Sequence, residues 1–143
     1  MGDLDKKENT LRIPGSEDYV ATVDDFLEGW LRLKGVPEDT IADLAIAVTE
    51  LVNNAIRYGS KKDKTKQITV ALLYNNDGEV RASVTDQGAG FDPDKIPNPV
   101  APENLLKEVG RGIFIVRSLM DDVVFDFPPE GGTTVTITKK IIQ

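Results

Sequence analysis

The spacing of apolar residues divides the first part of the chain into helical and extended segments. After Ser16, apolar side chains recur every three or four residues as far as Gly35, which predicts a first helix with Ser16 as its N-cap. Pro37 suits the first turn of a second helix, and Gly59 indicates where that helix ends. The apolar stripe of the second helix comprises Ile41, Leu44, Ala45, Val48, Leu51, Val52 and Ala55.

Alternation of apolar and polar residues predicts strands on either side of these helices. Leu11 and Ile13 predict a short first strand. Residues 68–74 and 80–84 alternate in the same way, and the sequence Asn-Asn-Asp-Gly at 75–78 between them is typical of a hairpin turn. The pattern therefore predicts an antiparallel pair of strands in the middle of the chain.

The second half of the chain begins with a segment of weak periodicity. Residues 87–109 hold four of the eight prolines, which predicts a long loop, and long loops in compact domains are usually functional or disordered. A third helix is predicted over 112–120. A closing hairpin is predicted after it, with strands at 123–127 and 133–141 on either side of a turn rich in proline and glycine.

Together these elements predict an α+β fold. Hairpins imply antiparallel pairing, so we expect a two-layer sandwich in which a mixed, mostly antiparallel sheet is covered on one face by about three helices. At 143 residues the chain has the length of one domain, and we expect residues 1–143 to form that single domain.

Composition and charge exclude several classes of function. The 17 basic and 24 acidic residues give a net charge of −7, which argues against a nucleic-acid-binding protein. The sequence contains no cysteine and no histidine, which excludes a thiol nucleophile, a disulfide, a Ser-His-Asp triad and a phosphorylated histidine within this chain. The first ten residues are polar, and no apolar run approaches the ~18 residues of a membrane span. We therefore expect a cytoplasmic protein with neither nucleic acid nor a membrane as a direct partner.

The polar face of the second helix carries the first candidate for chemistry. The residues that share this face, opposite the apolar stripe, are Glu50, Asn53, Asn54 and Arg57. Asparagine is a poor helix former, so two adjacent asparagines are an unusual choice for a free helix surface. Glu50 and Asn54 lie four residues apart and converge on one spot, where their oxygens could hold Mg²⁺ together with substrate phosphates. A solvated polar face is the alternative interpretation.

Three glycine-containing segments follow. Asp-Gln-Gly-Ala-Gly at 86–90 ends an alternating strand, and its glycines would let the backbone approach a ligand closely, although a simple glycine turn is the alternative. Gly-Arg-Gly at 110–112 precedes the predicted third helix, whose N-terminus would bind an anion, although a loop-to-helix joint is the alternative. For Gly-Gly-Thr-Thr at 131–134, a hairpin turn is a sufficient explanation.

The order of four segments along the chain resembles the GHKL ATPase and kinase superfamily, whose members have the Bergerat ATP-binding fold. The segments are Glu-Leu-Val-Asn-Asn-Ala at 50–55, Asp-x-Gly-x-Gly at 86–90, Gly-x-Gly at 110–112 and Gly-Thr at 132–133. The resemblance covers about residues 37–140. Within the superfamily the chain looks like the bacterial anti-sigma factor serine/threonine protein kinases, because V-T-E-L-V-N-N-A-I-R-Y-G and G-R-G-I-F-I-V are close to that branch's pattern.

This resemblance implies an ATP-dependent serine/threonine protein kinase that acts as an anti-sigma factor. Such a protein would bind a sigma factor and would phosphorylate a STAS-type anti-anti-sigma antagonist. Its cofactors would be ATP and Mg²⁺, which bridges the phosphates and offsets charge during transfer. Members of the branch often form a homodimer, and the resemblance extends that expectation to this chain.

The resemblance also implies roles for residues at the phosphate end of the site. Glu50 would be the general base, accepting the proton of a serine hydroxyl or of a water. Asn54 would be the Mg²⁺ ligand. Gly110, Arg111 and Gly112 would close on the phosphates of ATP.

At the adenine end, the resemblance implies that Asp86 accepts a hydrogen bond from the adenine amino group. Thr133 would support Asp86 through water, and Gly88 and Gly90 would form the floor of the adenine pocket. Residues 87–109 would be the lid over ATP.

Two residues depart from the branch's pattern and favour alternatives. Tyr58 stands where the branch often has histidine, and Glu108 stands where it often has a basic residue, whose place Arg111 or Lys107 would then take. One alternative is therefore a nucleotide-gated protein-binding module without kinase activity. Another is the catalytic half of a two-component histidine kinase, whose phosphorylated histidine would lie on another chain.

Overall fold

The computed structural model describes residues 5–7, 9–59, 65–75, 77–87, 104–128 and 131–141. The strands are β1 (Asp5–Lys7), β2 (Thr10–Pro14), β3 (Gln67–Asn75), β4 (Glu79–Asp86), β5 (Asp122–Asp126) and β6 (Thr133–Lys140). The helices are α1 (Val20–Leu33), α2 (Glu38–Asn54) and α3 (Asn104–Leu119). A 3₁₀ turn (Glu17–Tyr19) precedes α1, and a π-helical turn (Ala55–Gly59) continues α2.

The strands form one sheet in the order β1-β2-β3-β4-β6-β5, and every neighbouring pair in it is antiparallel. Helix α2 contacts β4 and β6, and it also packs against both α1 and α3. This arrangement confirms the predicted α+β sandwich, with pairing that is wholly antiparallel among the described strands. The edge strand β1 was not predicted, because its sequence Asp-Lys-Lys has no apolar alternation.

The core lies between α2 and the sheet. The predicted stripe of α2 supplies Ile41, Leu44, Val48, Leu51, Val52 and Ala55, all of which are buried. Every second residue of the two central strands is also buried, namely Ile68, Val70 and Leu72 in β3 and Val80, Ala82 and Val84 in β4. Within the described ranges, no helix has the length and apolar character needed to span a membrane.

The predicted helix boundaries are close to the observed ones at the start of the chain. Ser16 is an N-cap, since its hydroxyl oxygen accepts a hydrogen bond from the Asp18 backbone N–H at 3.2 Å, but it caps the 3₁₀ turn rather than α1 itself. Pro37 directly precedes α2, a position where its missing N–H removes no helical hydrogen bond. The second helix runs on as far as the predicted Gly59, but its last five residues form the wider π-helical turn.

The third helix begins earlier than predicted. It starts at Asn104 instead of residue 112, so that the last six residues of the predicted loop 87–109 are helical. Interior glycine costs a helix about 1 kcal/mol, which made a boundary at 110–112 attractive, but packing of α3 on α2 outweighs this local cost. Residues 110–112 therefore lie inside α3, and their predicted position at the N-terminus of this helix is wrong. Their contact with the phosphates stays a prediction. Residues 88–103, the rest of the predicted lid, lie outside the described residues.

Candidate functional site

Helices α2 and α3 bring three of the predicted site residues together. Glu50 is half-buried and Asn54 is buried, both on the side of α2 that faces α3. A methyl group placed on Gly112 of α3 would lie 3.0 Å from Glu50 Oε2 and 3.4 Å from Asn54 Nδ2. Glycine at 112 therefore allows α3 to approach both functional groups while leaving them unobstructed.

The amide of Asn54 is buried without being fully hydrogen-bonded. Asn54 is 6% exposed, and its Nδ2 has no hydrogen-bond partner within the described part of the chain. A buried polar group left unpaired costs about 1–3 kcal/mol, and a ligand, an ion or a water molecule that pairs with it removes this cost. A side-chain amide can turn either its oxygen or its nitrogen toward such a ligand.

A cavity of about 360 Å³ opens beside this pair of helices. Its lining residues are Glu50, Arg57, Arg111, Gly112 and Ile115. The cavity thus presents one carboxylate and two guanidinium groups, and guanidinium groups bind phosphate oxygens well because of their fixed, forked donors. The sequence placed Arg57 on the right face of α2, seven residues after Glu50, but gave no reason to assign it to a phosphate.

Arg57 is connected to the segment before α1. Its Nε lies 3.3 Å from Glu17 Oε1, across 40 positions of sequence. Both side chains are nearly half exposed, so the ion pair adds little to stability. The pair joins the end of the second helix to the 3₁₀ turn that precedes α1.

The second part of the site lies at the end of the sheet, where β4 stops and β6 starts. Asp86 is the last residue of β4, and it stands directly opposite Thr133, the first residue of β6. Both residues are buried, and Thr133 Oγ1 has no hydrogen-bond partner among the described residues. The arrangement places a buried carboxyl group beside a hydroxyl group whose hydrogen-bonding capacity is unused.

Gly132 makes this approach of the two strands possible. It has a φ of +86°, a conformation that residues with a side chain rarely adopt. A methyl group at this position would collide with the main-chain carbonyl oxygen of Asp86. The hairpin turn was a correct interpretation of this glycine, but the close contact with Asp86 could not be read from local sequence.

The remaining predicted site residues divide into two groups. Gly110 lies inside α3 with open space around it, since a methyl group there would meet no atom within 4 Å. Gly88 and Gly90 lie outside the described residues. Within those described, no group of three or more acidic side chains could hold a metal on its own.

Comparison with known families gives one match over most of the chain. The histidine kinase-like ATPase domain matches residues 13–139. Among curated proteins, the serine-protein kinase RsbW of Staphylococcus aureus is 31% identical over 137 residues, which cover 92% of this chain and 85% of the relative.

Solved structures give a consistent result. The RsbU and RsbW domains of Rv1364c from Mycobacterium tuberculosis have a TM-score of 0.62 at 27% identity, covering 92% of this chain and 32% of that one. The SiaB–SiaC complex from Pseudomonas aeruginosa has a TM-score of 0.66 at 14% identity, covering 95% of this chain and 89% of that one, and supports the fold alone. The predicted GHKL resemblance is confirmed, and the chain belongs to the histidine kinase-like ATPase domain family.

Proposed function

We propose that this protein is an ATP-dependent serine/threonine protein kinase that acts as an anti-sigma factor. It phosphorylates a STAS-type anti-anti-sigma protein and binds a sigma factor, and it does so in the cytoplasm. The observation that carries the proposal is the convergence of Glu50, Asn54 and Gly112 beside a cavity with two arginines. The serine-protein kinase named among the relatives supports the choice of serine as the acceptor. The homodimer and the single domain over 1–143 stay predictions.

The adenine end of the site uses the end of the sheet. The carboxylate of Asp86 accepts a hydrogen bond from the adenine amino group, because an ionised carboxylate can only accept. Thr133 supplies the adjoining hydroxyl group, which has no partner among the described residues and is free to bond a water or the base. Gly88 and Gly90 complete the floor in this proposal, and residues 87–109 act as the lid.

The residues at the phosphate end fit a magnesium ion. Mg²⁺ prefers oxygen ligands and is usually held by one or two side chains together with substrate phosphates, so the lack of a larger acidic cluster among the described residues is compatible with it. Asn54 would be the ligand through its amide oxygen. The atom without a partner among the described residues is the amide nitrogen, so this assignment takes the side-chain amide turned over to direct its oxygen at the ion. When bound, Mg²⁺ offsets the negative charge of the phosphates.

Phosphoryl transfer then depends on the placement of Glu50 and the arginines. Glu50 accepts the proton of the serine hydroxyl as the serine oxygen forms its bond to the γ-phosphorus. The bond from the γ-phosphorus to the bridging oxygen breaks, and ADP leaves with that oxygen. Arg57 and Arg111, which line the same cavity as Glu50, stabilise the charge on the transferred group.

The replacement Glu50→Gln tests this assignment. It keeps the shape of the side chain but removes the base, so we expect transfer from radiolabelled ATP to purified STAS-type proteins to fall by about 10²–10⁴-fold while calorimetry still detects Mg-ATP binding.

Asn54→Ala should instead abolish Mg²⁺-dependent ATP binding. Asn53→Ala, which removes the neighbouring amide, is the matched control and should retain that binding.

Each outcome selects among the functions considered. Transfer retained by Glu50→Gln would contradict the role of Glu50 as the base. ATP binding by the wild type without a phosphorylated product on any STAS-type protein would favour the nucleotide-gated binding module. An acid-labile product on a histidine domain supplied in trans would favour the histidine kinase alternative, whereas acid-stable phosphoserine would exclude it.

A further inference from the structure

A groove of about 680 Å³ runs between α1 and α2, and of its described lining residues only Glu50 also lines the cavity beside α2 and α3. Its floor is apolar and comes from both helices, with Val20 on α1 and Ile41 and Ile46 on α2. Ile46 is 49% exposed although it lies in the middle of a helix. The groove therefore offers apolar surface that the described part of the chain leaves open.

The rim of this groove is predominantly acidic. It carries the carboxylates of Asp24, Glu28, Glu38 and Glu50 and the single guanidinium group of Arg32. Arg32 is already engaged at one end of the groove, where it lies 2.9 Å from Glu28 and 3.0 Å from Glu38. The groove therefore has an excess of negative charge.

Asp24 contributes one of these carboxylates from α1. No cation forms an ion pair with Asp24 in the ranges that the structure describes. The pKa of Asp24 is raised to about 6, chiefly because its carboxyl group hydrogen-bonds to Glu28, and also through partial burial and the negative charges of Glu28 and Asp25; Arg32 opposes the rise. A lysine or arginine from a partner would stabilise the ionised form.

The groove ends at the proposed catalytic base. Glu50 lines both the groove and the cavity that holds Arg57 and Arg111. The helices α1 and α2 are joined by a short connection and run antiparallel, so that the Arg32–Glu38 pair marks one end of the groove and Val20 and Glu50 mark the other. A group lying in the groove at this second end would therefore be next to Glu50.

Helix geometry sets the distances along the groove. At a rise of 1.5 Å per residue, Asp24 lies about 6 Å and Glu28 about 12 Å along α1 from Val20. An extended peptide advances about 3.3 Å per residue. If one residue of such a peptide lies at Glu50, the residue whose side chain reaches Asp24 or Glu28 is therefore about two to four positions away.

We propose that this groove binds the segment of the protein substrate next to the phosphorylated serine or threonine. The segment contacts the apolar floor and places a lysine or arginine, two to four residues from the hydroxyl group, against Asp24 and Glu28. The inference rests on the proposed kinase function and names a chemical feature of its substrate. A second copy of this chain in the groove is the competing occupant that the test must separate.

The test uses two fluorescent serine peptides that are identical except for lysine or glutamate three residues from the serine. Anisotropy is measured with the 143-residue chain in the presence of ADP and at 0.15 M salt. We expect the wild type to bind the lysine peptide about fivefold more tightly than the glutamate peptide. Asp24→Asn should remove this preference, and Asp24→Lys should reverse it. Asp39→Lys is the matched control, because Asp39 is an exposed acidic residue of α2 that does not line the groove, and it should keep the wild-type preference.

Three results would overturn the inference: no binding of either peptide, equal binding of both, or the same change of preference in Asp24→Lys and Asp39→Lys. Self-association in sedimentation that Asp24→Lys abolishes would assign the groove to a second copy and would also overturn it. Thermal unfolding of each variant confirms that it folds. Calorimetry with Mg-ATP is run in parallel, since a failure to bind ATP would reject the proposed function, whereas ATP binding without a peptide preference would reject only this inference.

Discussion

The two ends of the candidate site are built in different ways. At the helical end, Glu50 and Asn54 project from α2 toward Gly112 on α3, and the contact is made by side chains. At the sheet end, Asp86 and Thr133 are placed by the hydrogen-bonded register of β4 and β6. At the helical end, Gly112 leaves space beside the functional groups of Glu50 and Asn54. At the sheet end, Gly132 is required by its positive φ and by its close contact with the backbone of Asp86. Equivalent substitutions at the two ends should therefore damage different properties.

The largest effect on stability is expected from Gly132→Ala at the sheet end. Alanine would be strained at the positive φ of this position, and its methyl group would collide with the Asp86 carbonyl oxygen. Neither problem can be relieved by the rotation of a side chain. We expect the free energy of unfolding, measured by urea denaturation, to fall by about 2–4 kcal/mol.

A second positive-φ glycine separates the two causes. Gly35 has a φ of +78° but open space around it, so Gly35→Ala should cost only the conformational penalty of about 1–2 kcal/mol. Equal losses in the two variants would mean that the contact with Asp86 contributes nothing.

At the helical end, Gly112→Ala should affect the ligand more than the fold. The methyl group would meet Glu50 Oε2 at 3.0 Å, and that atom is the end of a flexible side chain that can move aside. We expect a change of less than about 1 kcal/mol in the free energy of unfolding, because a better helix former offsets the crowding. ATP affinity by calorimetry and the rate of phosphoryl transfer should both fall, since Glu50 and Asn54 are displaced.

Gly110→Ala, two residues earlier in the same helix, sharpens this result. Space around Gly110 is open, so the substitution should raise the free energy of unfolding by about 0.5–1 kcal/mol through helix propensity. The same calorimetric measurement tests its predicted role at the phosphates. A destabilising Gly110→Ala would contradict the position of this residue inside α3.

The smallest effect on stability is expected from Thr133→Val. Its hydroxyl group is buried without a partner among the described residues, so replacing that group with a methyl group should leave stability unchanged or raise it by up to about 1 kcal/mol. ATP affinity should nevertheless fall. In the matched control Thr134→Val, a hydrogen bond to Thr85 Oγ1 at 3.0 Å is lost, and stability should drop by about 0.5–1.5 kcal/mol. The proposal for Thr133 fails if ATP affinity is the same in both variants.

Much of the site could be predicted because it depends on local periodicity. The four-residue spacing of Glu50 and Asn54 fixes their common side on a helix, and alternation places Asp86 at the end of a strand. The meeting of these residues with Gly112 and Thr133 could not be predicted from spacing alone. It requires the packing of α3 on α2 and the register of β4 against β6, which join residues far apart in sequence.

The elements of the fold that were predicted wrongly or missed also depend on contacts between residues far apart in sequence or on local geometry. The start of α3 was placed too late because glycines at 110 and 112 are strong local stop signals, although tertiary packing carries the helix through them. The π-helical turn at Ala55–Gly59 could not be predicted because it spans only five residues at the end of the second helix, too few to show a change of period. Strand β1 forms by hydrogen bonding to β2, and this pairing needs no apolar side chains.

The position of Glu50 between a groove and a cavity has a consequence for inhibition. Among the described residues, Glu50 is the one that lines both the groove and the cavity. A molecule that joins a nucleotide to a short basic peptide would therefore need only a short linker, passing Glu50, to occupy the cavity and the groove together. Joining the two parts makes the second contact intramolecular, with an effective concentration in the millimolar range for a short flexible linker. Such a bivalent compound would gain affinity over either half, and it would discriminate against other ATP-binding proteins through the peptide that the nucleotide site alone cannot select.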